Sequence, residues 1–258
     1  MSQTLSLGPL QISLYSALIG AGVLLPLGWH LLRTRDERVL TDVLIIGLLA
    51  LVAGRVGYVA IHWPYFDDHR AQIVSLTSPG YSEHLALLLA WGLESGMLRV
   101  FRPAAYVLRL SPYTFLAIIT CVGIGASIGC ISSGCAFGRE VFWQDGTHKL
   151  GWLIRADWPD AFGVNNPRWP TQAIMAMWLA FCYGSALFWQ RRGRLAPGQT
   201  LAVWVLWFSM GDSVIQLLRA DESLLIRNIR IEQYFNLILF ILSIYTLSHR
   251  YRPTRQHT

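Results

Sequence analysis

Ile12 to Leu32 reads ISLYSALIGAGVLLPLGWHLL and runs directly into Arg33, Arg35 and Arg38. A stretch of this length without an acidic, lysine or arginine side chain can cross the ~30 Å hydrocarbon core of a bilayer as one helix. It is too long for the apolar region of a cleaved leader. No basic residue precedes it, and it ends in arginines instead of a small-residue cleavage site. The stretch therefore reads as a retained first span with its N-terminus outside.

The rest of the chain repeats this pattern. Apolar runs at Leu40–Trp63, Glu83–Phe101, Pro112–Ile131, Thr171–Trp189, Thr200–Leu218 and Ile231–Leu247 bring the expected spans to about seven. Basic clusters at Arg33/Arg35/Arg38, Arg99/Arg102/Arg109, Arg191/Arg192/Arg194 and Arg250/Arg252/Arg255 punctuate them. With an odd number of spans, all four clusters fall on one side, which the positive-inside bias makes the cytoplasm. The fold expected is all-α: a polytopic membrane protein, N-terminus outside and C-terminus cytoplasmic. One transmembrane domain takes in residues 1–258.

Composition agrees: 53% of residues are hydrophobic and 14% charged, with a mean hydropathy of +0.41. The net charge of +6 and a pI near 9.4 do not indicate nucleic acid, because the arginines sit between apolar runs and not along a polar face. The four cysteines, Cys121, Cys130, Cys135 and Cys182, lack the spacing of a zinc site, and no metal or cofactor is expected. Cys130 and Cys135 are either thiols near the oxidising side of the membrane or small helix residues. A disulfide between them requires the helix to end near Cys130. Two outward segments exceed minimal loops: Pro64–Ser82, and Ser132–Pro170, a tryptophan-rich stretch expected to form a small head at the interface.

Ionisable side chains inside a span are costly to bury and mark either a site or a structural pair. Arg55 lies eight residues before Trp63, roughly 12 Å below the outer boundary. Asp212 lies at comparable depth, and Asp212, Gln216 and Arg219 form an i, i+4, i+7 stripe on one helix face. Arg55 and Asp212 are thus candidates to neutralise each other and lock two helices. Glu83 and His84 open the third span; Glu232 and Asn236 open the seventh. Gly123, Gly125, Ala126, Ser127 and Gly129 in the fourth span permit close helix approach, or leave room for a lipid or peptide at the span's outer end.

At these residues the chain resembles the prolipoprotein diacylglyceryl transferases of bacteria. Gly54-Arg55-Val56-Gly57-Tyr58 with His62-Trp63-Pro64-Tyr65-Phe66 is similar to that family's second-helix motif. Gly80-Tyr81-Ser82-Glu83-His84 is similar to the stretch ending in its functional histidine. Gly129 to Arg139 occupies its signature, Arg168-Trp169-Pro170-Thr171-Gln172 the entry to its fifth span, and Gly211 to Asp221 its sixth span and exit.

The resemblance implies transfer of a diacylglyceryl group from phosphatidylglycerol to the lipobox cysteine of prolipoprotein signal peptides, in the bacterial inner membrane, releasing glycerol phosphate. It implies His84 as base for the incoming thiol, a task suited to a group that titrates near neutral pH. Arg55, Arg139, Arg168 and Arg219 become candidate phosphate partners, since a guanidinium fork donates charge-assisted bonds in pairs. Tyr15, Tyr58, Gln172, Asp212 and Gln216 complete the expected substrate-binding set.

The chain also departs from the family. Ser127, Cys130, Ser133 and Cys135 stand where the signature carries an arginine and asparagines. Asp212 and Gln216 stand at a family arginine and glutamate. Asp212 reverses the charge offered to a phosphate. The alternative expectation is therefore a catalytically altered or silent paralogue that binds lipid or a membrane partner. Transporter and channel readings find no matching pair of broken helices to support them.

Overall fold

The computed structural model describes residues 4–7, 10–74, 80–94, 111–132, 138–140, 156–158, 164–193, 195, 199–221 and 223–248. A short antiparallel hairpin, β1 (Thr4–Leu7) and β2 (Leu10–Ser13), precedes the first helix. Ser13 then caps α1 (Leu14–Thr34), its hydroxyl accepting the Ser16 N–H at 3.1 Å. That bond satisfies one of the amides a helix start leaves unpaired. Arg35, in the left-handed region at φ 55°, closes the other end by donating its N–H to the Leu31 carbonyl. Pro26 sits inside α1, which membrane helices tolerate.

The remaining helices are α2 (Arg38–Ile61), the short α3 (Trp63–Asp68), α4 (Glu83–Glu94), α5 (Pro112–Ser132), α6 (Thr171–Arg191), α7 (Gln199–Leu218) and α8 (Ile231–Ser248). A two-residue-per-strand hairpin, β3 (Leu225–Ile226) and β4 (Ile229–Arg230), joins α7 to α8. Among the described residues, six helices, α1, α2, α5, α6, α7 and α8, are long and apolar enough to cross a membrane. The third expected span is described only as α4, and its continuation to Phe101 lies outside the described residues. The second span ends earlier than expected. Its helix stops at Ile61, and a new one begins at Trp63 with Pro64 in its first turn, where proline's missing N–H does no harm. Of the expected head at Ser132–Pro170, the described parts form isolated antiparallel bridges, Gly138 to Arg219 and Arg168 to both Glu140 and Ala156.

The helices pack in the order α1, α5, α6, α7, α8, α4, α2, each against the next. At the centre α7 buries Leu201, Ala202, Val203, Trp204, Val205, Phe208 and Ile215. Trp204 stacks on Phe208 with ring centroids 5.2 Å apart and donates its indole N–H to Thr120 of α5 at 3.0 Å. Leu24, Leu25, Leu32, Leu44, Leu48 and Val56 point outward on α1 and α2. Such an apolar exterior suits lipid, where van der Waals fit between helices replaces the hydrophobic effect.

That fit is closest between α1 and α5. A Cβ on Gly125 would come within 2.6 Å of the Leu18 carbonyl oxygen, and one on Gly129 within 2.7 Å of the Tyr15 Cα. The small residues of the fourth span therefore serve close backbone approach. Gly125→Leu is expected to force the two helices apart at a cost of about 1–3 kcal/mol. Thermal unfolding of the purified protein in detergent reads this directly, and an unshifted midpoint would contradict the packing described.

Candidate active site

His84 lies in the first turn of α4, Asp212 and Gln216 one turn apart on α7, and Asn236 in the second turn of α8. These three helices converge on one carboxylate. Asp212 Oδ2 is 3.0 Å from His84 Nε2 and accepts the Asn236 amide N–H at 2.7 Å. The Gln216 amide nitrogen lies 3.3 Å from both Asp212 oxygens. Asp212, His84, Gln216 and Asn236 are all buried. An ionised Asp212 requires Nε2 of His84 to carry a proton, which leaves Nδ1 as the nitrogen with a free lone pair when the ring is neutral. The imidazole sits between Phe208 and Phe235, with centroids 6.1 Å away on each side. Glu83 joins the group: one ligand atom each from Glu83, His84 and Asp212 fall within 4.8 Å of one another.

The pairing expected between Arg55 and Asp212 is replaced by that between His84 and Asp212. Helix depth is a one-dimensional estimate, and it cannot tell which of two helices at equal depth α7 will face. Arg55 donates instead to the backbone carbonyls of Ile73 at 3.0 Å, Gln72 at 2.5 Å and Gly80 at 2.8 Å. Its guanidinium lies 5.3 Å from the centre of the Phe66 ring and 5.6 Å from that of Tyr81. It thereby ties the turn after α3 to the entry of α4. Tyr58 belongs to the same corner, stacked on His62 at 4.1 Å. Gly80, at φ +115°, would drive a Cβ to 2.1 Å from the Tyr58 ring, so both its conformation and its neighbour require glycine.

Arg139, Arg168 and Arg219 gather at the end of α7. Arg139 donates its backbone N–H to the Leu218 carbonyl at 2.7 Å and its Nε–H to the Arg219 carbonyl at 3.1 Å. Arg168 pairs with Glu140 at 3.2 Å. Arg219 lies along Asp221 with nitrogen–oxygen distances of 2.9 and 2.7 Å, and Arg230 reaches Asp221 at 3.0 Å and Glu232 at 3.7 Å. Gln172 is buried at the start of α6, where it accepts from the Thr171 hydroxyl at 3.1 Å. Tyr15 packs on Gly129 and lies within electrostatic reach of Glu83.

The expected set thus divides into a buried cluster of His84, Asp212 and Gln216, an arginine layer of Arg139, Arg168 and Arg219, and a corner of Arg55 and Tyr58. Asn236 and Glu83 were visible in the sequence as polar residues opening spans, but nothing in the spacing showed that they meet Asp212. Asp221 and Arg230 gave no signal, since a charged pair in a loop is ordinary. Cys130 is disulfide-bonded while Cys121 and Cys182 are free, and α5 ends at Ser132. Cys135, Ser133 and Gly134 lie outside the described residues. Ser127 donates to the Gly123 carbonyl of its own helix at 2.9 Å.

A groove of about 610 Å³ opens between α7 and α8, lined by Ser213, Leu217, Ile229, Asn236, Leu237 and Phe240 among others. None of the expected site residues lines it. Asn236 connects it to the buried cluster.

A bundle of apolar helices long enough to span a membrane, with a buried histidine–carboxylate pair at its centre, has the form of a membrane-embedded enzyme. The sequence profile of the family "Prolipoprotein diacylglyceryl transferase" matches residues 2–249, and the chain belongs to that family. It is 27% identical over 253 residues to a protein of Streptococcus equi subsp. equi, covering 95% of this chain and 93% of that protein. A Bacillus velezensis protein is 26% identical, with 95% and 90% covered. A Staphylococcus epidermidis protein is 24% identical, with 97% and 90% covered. All three are named phosphatidylglycerol–prolipoprotein diacylglyceryl transferase.

Outside the spans, Asp221 carries a pH signature. Burial favours its neutral form, but the hydrogen bond and charge of Arg219, with those of Arg230, together hold its carboxyl below the ordinary value. A depressed folded-state pKa means that the stabilisation is fully present above the usual carboxylate range and is lost as pH falls through the lowered value. The thermal midpoint should therefore decline as the pH drops below about 4. Asp221→Asn should lower the midpoint at neutral pH and flatten that acid limb. Parallel profiles for the two proteins would show that the pair contributes nothing.

Proposed function

We infer that this chain is a multi-pass transferase of the bacterial cytoplasmic membrane, working as one transmembrane domain. It moves the diacylglyceryl group of phosphatidylglycerol to the cysteine thiol of a prolipoprotein. The observation that carries the chemical part is the buried His84–Asp212 pair at 3.0 Å. Asp212 fixes the ring with Nε2–H toward itself, so that Nδ1 receives the proton of the acceptor thiol. The thiolate attacks the glyceryl carbon that bears the phosphoryl oxygen. That carbon–oxygen bond breaks, a carbon–sulfur bond forms, and glycerol phosphate leaves with the oxygen.

The arginines at the end of α7 support the phosphate end of this scheme. Arg139, Arg168 and Arg219 stand above the buried pair, where a lipid headgroup at the outer face would lie. A guanidinium fork suits a phosphate, and the headgroup would compete with Glu140 and Asp221 for Arg168 and Arg219. The groove between α7 and α8 suits an acyl chain along the wall formed by Met210, Leu217, Ile229, Leu237 and Phe240. One observation favours the alternative of a lipid binder without turnover: Asp212 sets a carboxylate, not a cation, at the centre of the cluster.

Reconstituted protein with phosphatidylglycerol labelled in its acyl chains and a lipobox peptide decides between them. Label is expected on the peptide cysteine, with glycerol phosphate released in equal amount. His84→Ala should cut turnover by about 10²–10⁴-fold, the span of a lost general base, while binding of the lipid persists. A wild-type protein that binds phosphatidylglycerol and transfers nothing would instead establish the binder.

A further inference from the structure

We propose that the end of α6 away from the His84–Asp212 pair binds an anionic phospholipid of the opposite leaflet. Its phosphate rests on Arg191 and Arg192, and one acyl chain lies along Gly184, Leu187 and Phe188. A hollow of about 390 Å³ is lined by these five residues. They recur at i, i+3, i+4, i+7 and i+8, so they share one face of the helix. The hollow is distinct from the buried pair. The Thr200 hydroxyl donates to the side-chain oxygen of Gln190, which seats this end of α6 beside the start of α7. Asp212 lies twelve residues further along α7, about 18 Å away at ~1.5 Å per residue. That is more than half of the ~30 Å hydrocarbon core.

A missing side chain makes the hollow. A Cβ on Gly184 would meet nothing within 4 Å, whereas one on Gly125 or Gly129 would strike the backbone of α1. Glycine inside a helix is less favourable than alanine, and at Gly184 no close helix approach offsets that cost. Phe188 borders the hollow and is 47% exposed. From Gly184 to Arg192 the face runs eight residues, about 12 Å. One leaflet holds about 15 Å of hydrocarbon. The length therefore suits a chain lying along the helix with its headgroup at the boundary.

Charge selects the headgroup. Arg192 folds its guanidinium over the Phe188 ring, 4.2 Å from the centroid, so the cation stays on this face. Arg168, Arg219 and Arg230 meet carboxylates. Among the described residues, Arg191 and Arg192 form no ion pair, and no acidic side chain lines the hollow. The carbonyl end of α6 carries about half a negative charge, which two full guanidinium charges outweigh. Guanidinium groups suit a phosphate, and basic pockets at one face of a membrane bundle recognise anionic headgroups. A soluble anion would use the arginines alone and leave the apolar floor uncovered. A diacyl phospholipid satisfies both parts. The site rests on no part of the transferase reading, since it shares no residue with the buried pair or with the arginine layer.

The test uses the full chain in phosphatidylcholine nanodiscs doped with a phospholipid that carries a photoreactive diazirine in its acyl chain. Phosphatidylserine and phosphatidylcholine probes are compared at equal amounts, and labelled residues are mapped by peptide mass spectrometry. Label between Gly184 and Arg192 is expected to be greater with the phosphatidylserine probe, by about fivefold or more. Arg191→Gln combined with Arg192→Gln should abolish that excess. Arg33→Gln combined with Arg35→Gln removes equal charge at the end of α1 and should keep it. All four arginines are exposed, so both double variants should hold the wild-type thermal midpoint. Equal labelling by the two probes, or an excess that survives loss of Arg191 and Arg192, overturns the site. An excess lost equally in the α1 variant marks diffuse surface charge and overturns it as well. Gly184→Leu fills the hollow and should move label off Leu187 and Phe188; label left in place overturns the chain's placement. Inorganic phosphate that removes the excess as well as unlabelled phosphatidylserine does marks a free-anion site and overturns the lipid. None of these readouts requires transfer to a peptide, so failure of the transferase reading leaves them unaffected.

Discussion

A carboxylate buried where lipid surrounds the protein must find its partners inside the bundle, and Asp212 finds them on three different helices. His84 comes from α4, Asn236 from α8, and Gln216 from the next turn of α7 itself. Removing any one partner leaves charge or polarity unmet in a medium that cannot supply water, at a cost of several kcal/mol. The contact therefore sets how α4 and α8 seat against α7. The central position of α7 follows from the same contact, because a helix carrying such a group has to be enclosed. Its buried face of Trp204, Phe208 and Ile215 continues that enclosure away from the polar end.

Much of this arrangement could be read from the sequence, and the missing part has a specific physical cause. Span positions emerged from apolar length, and a helix was found at each of the seven expected stretches, though the inner part of the third lies outside the described residues. The gathering of polar residues from separate spans was also legible, as was the i, i+4 relation of Asp212 and Gln216, because helical spacing fixes which residues share a face. Partner identity was not legible. Arg55 and His84 are both polar groups near the outer ends of neighbouring spans, and only the rotation of each helix decides which one reaches Asp212. Arg55 proved to be saturated by carbonyls of the turn after α3, a set of acceptors that no side-chain pattern announces. Asn236 was read as a polar residue opening the seventh span, and its tie to Asp212 was hidden because it is a contact across helices.

The small residues of α5 illustrate a different limit. Close approach to α1 and a lipid-sized space are opposite consequences of the same glycines, and sequence alone supports both. The backbone contacts at Gly125 and Gly129 decide for approach along this stretch. The space lies instead between α7 and α8, bordered by Ser209 and Ser213 on one wall and by Leu237 and Phe240 on the other. Neither wall carries a glycine cluster. A groove along the seam of two packed helices leaves no compositional trace, whereas one made by removal of side chains does.

Asn236 is the residue at which these two regions meet. It lines the groove and donates to Asp212, so a lipid entering between α7 and α8 reaches the cluster past its amide. Glu83 and Tyr15 border the cluster from α4 and α1. A second substrate arriving from their side would meet His84 without crossing the acyl groove. Two approaches to one buried pair suit a reaction that must bring a lipid and a peptide thiol together while keeping each from blocking the other.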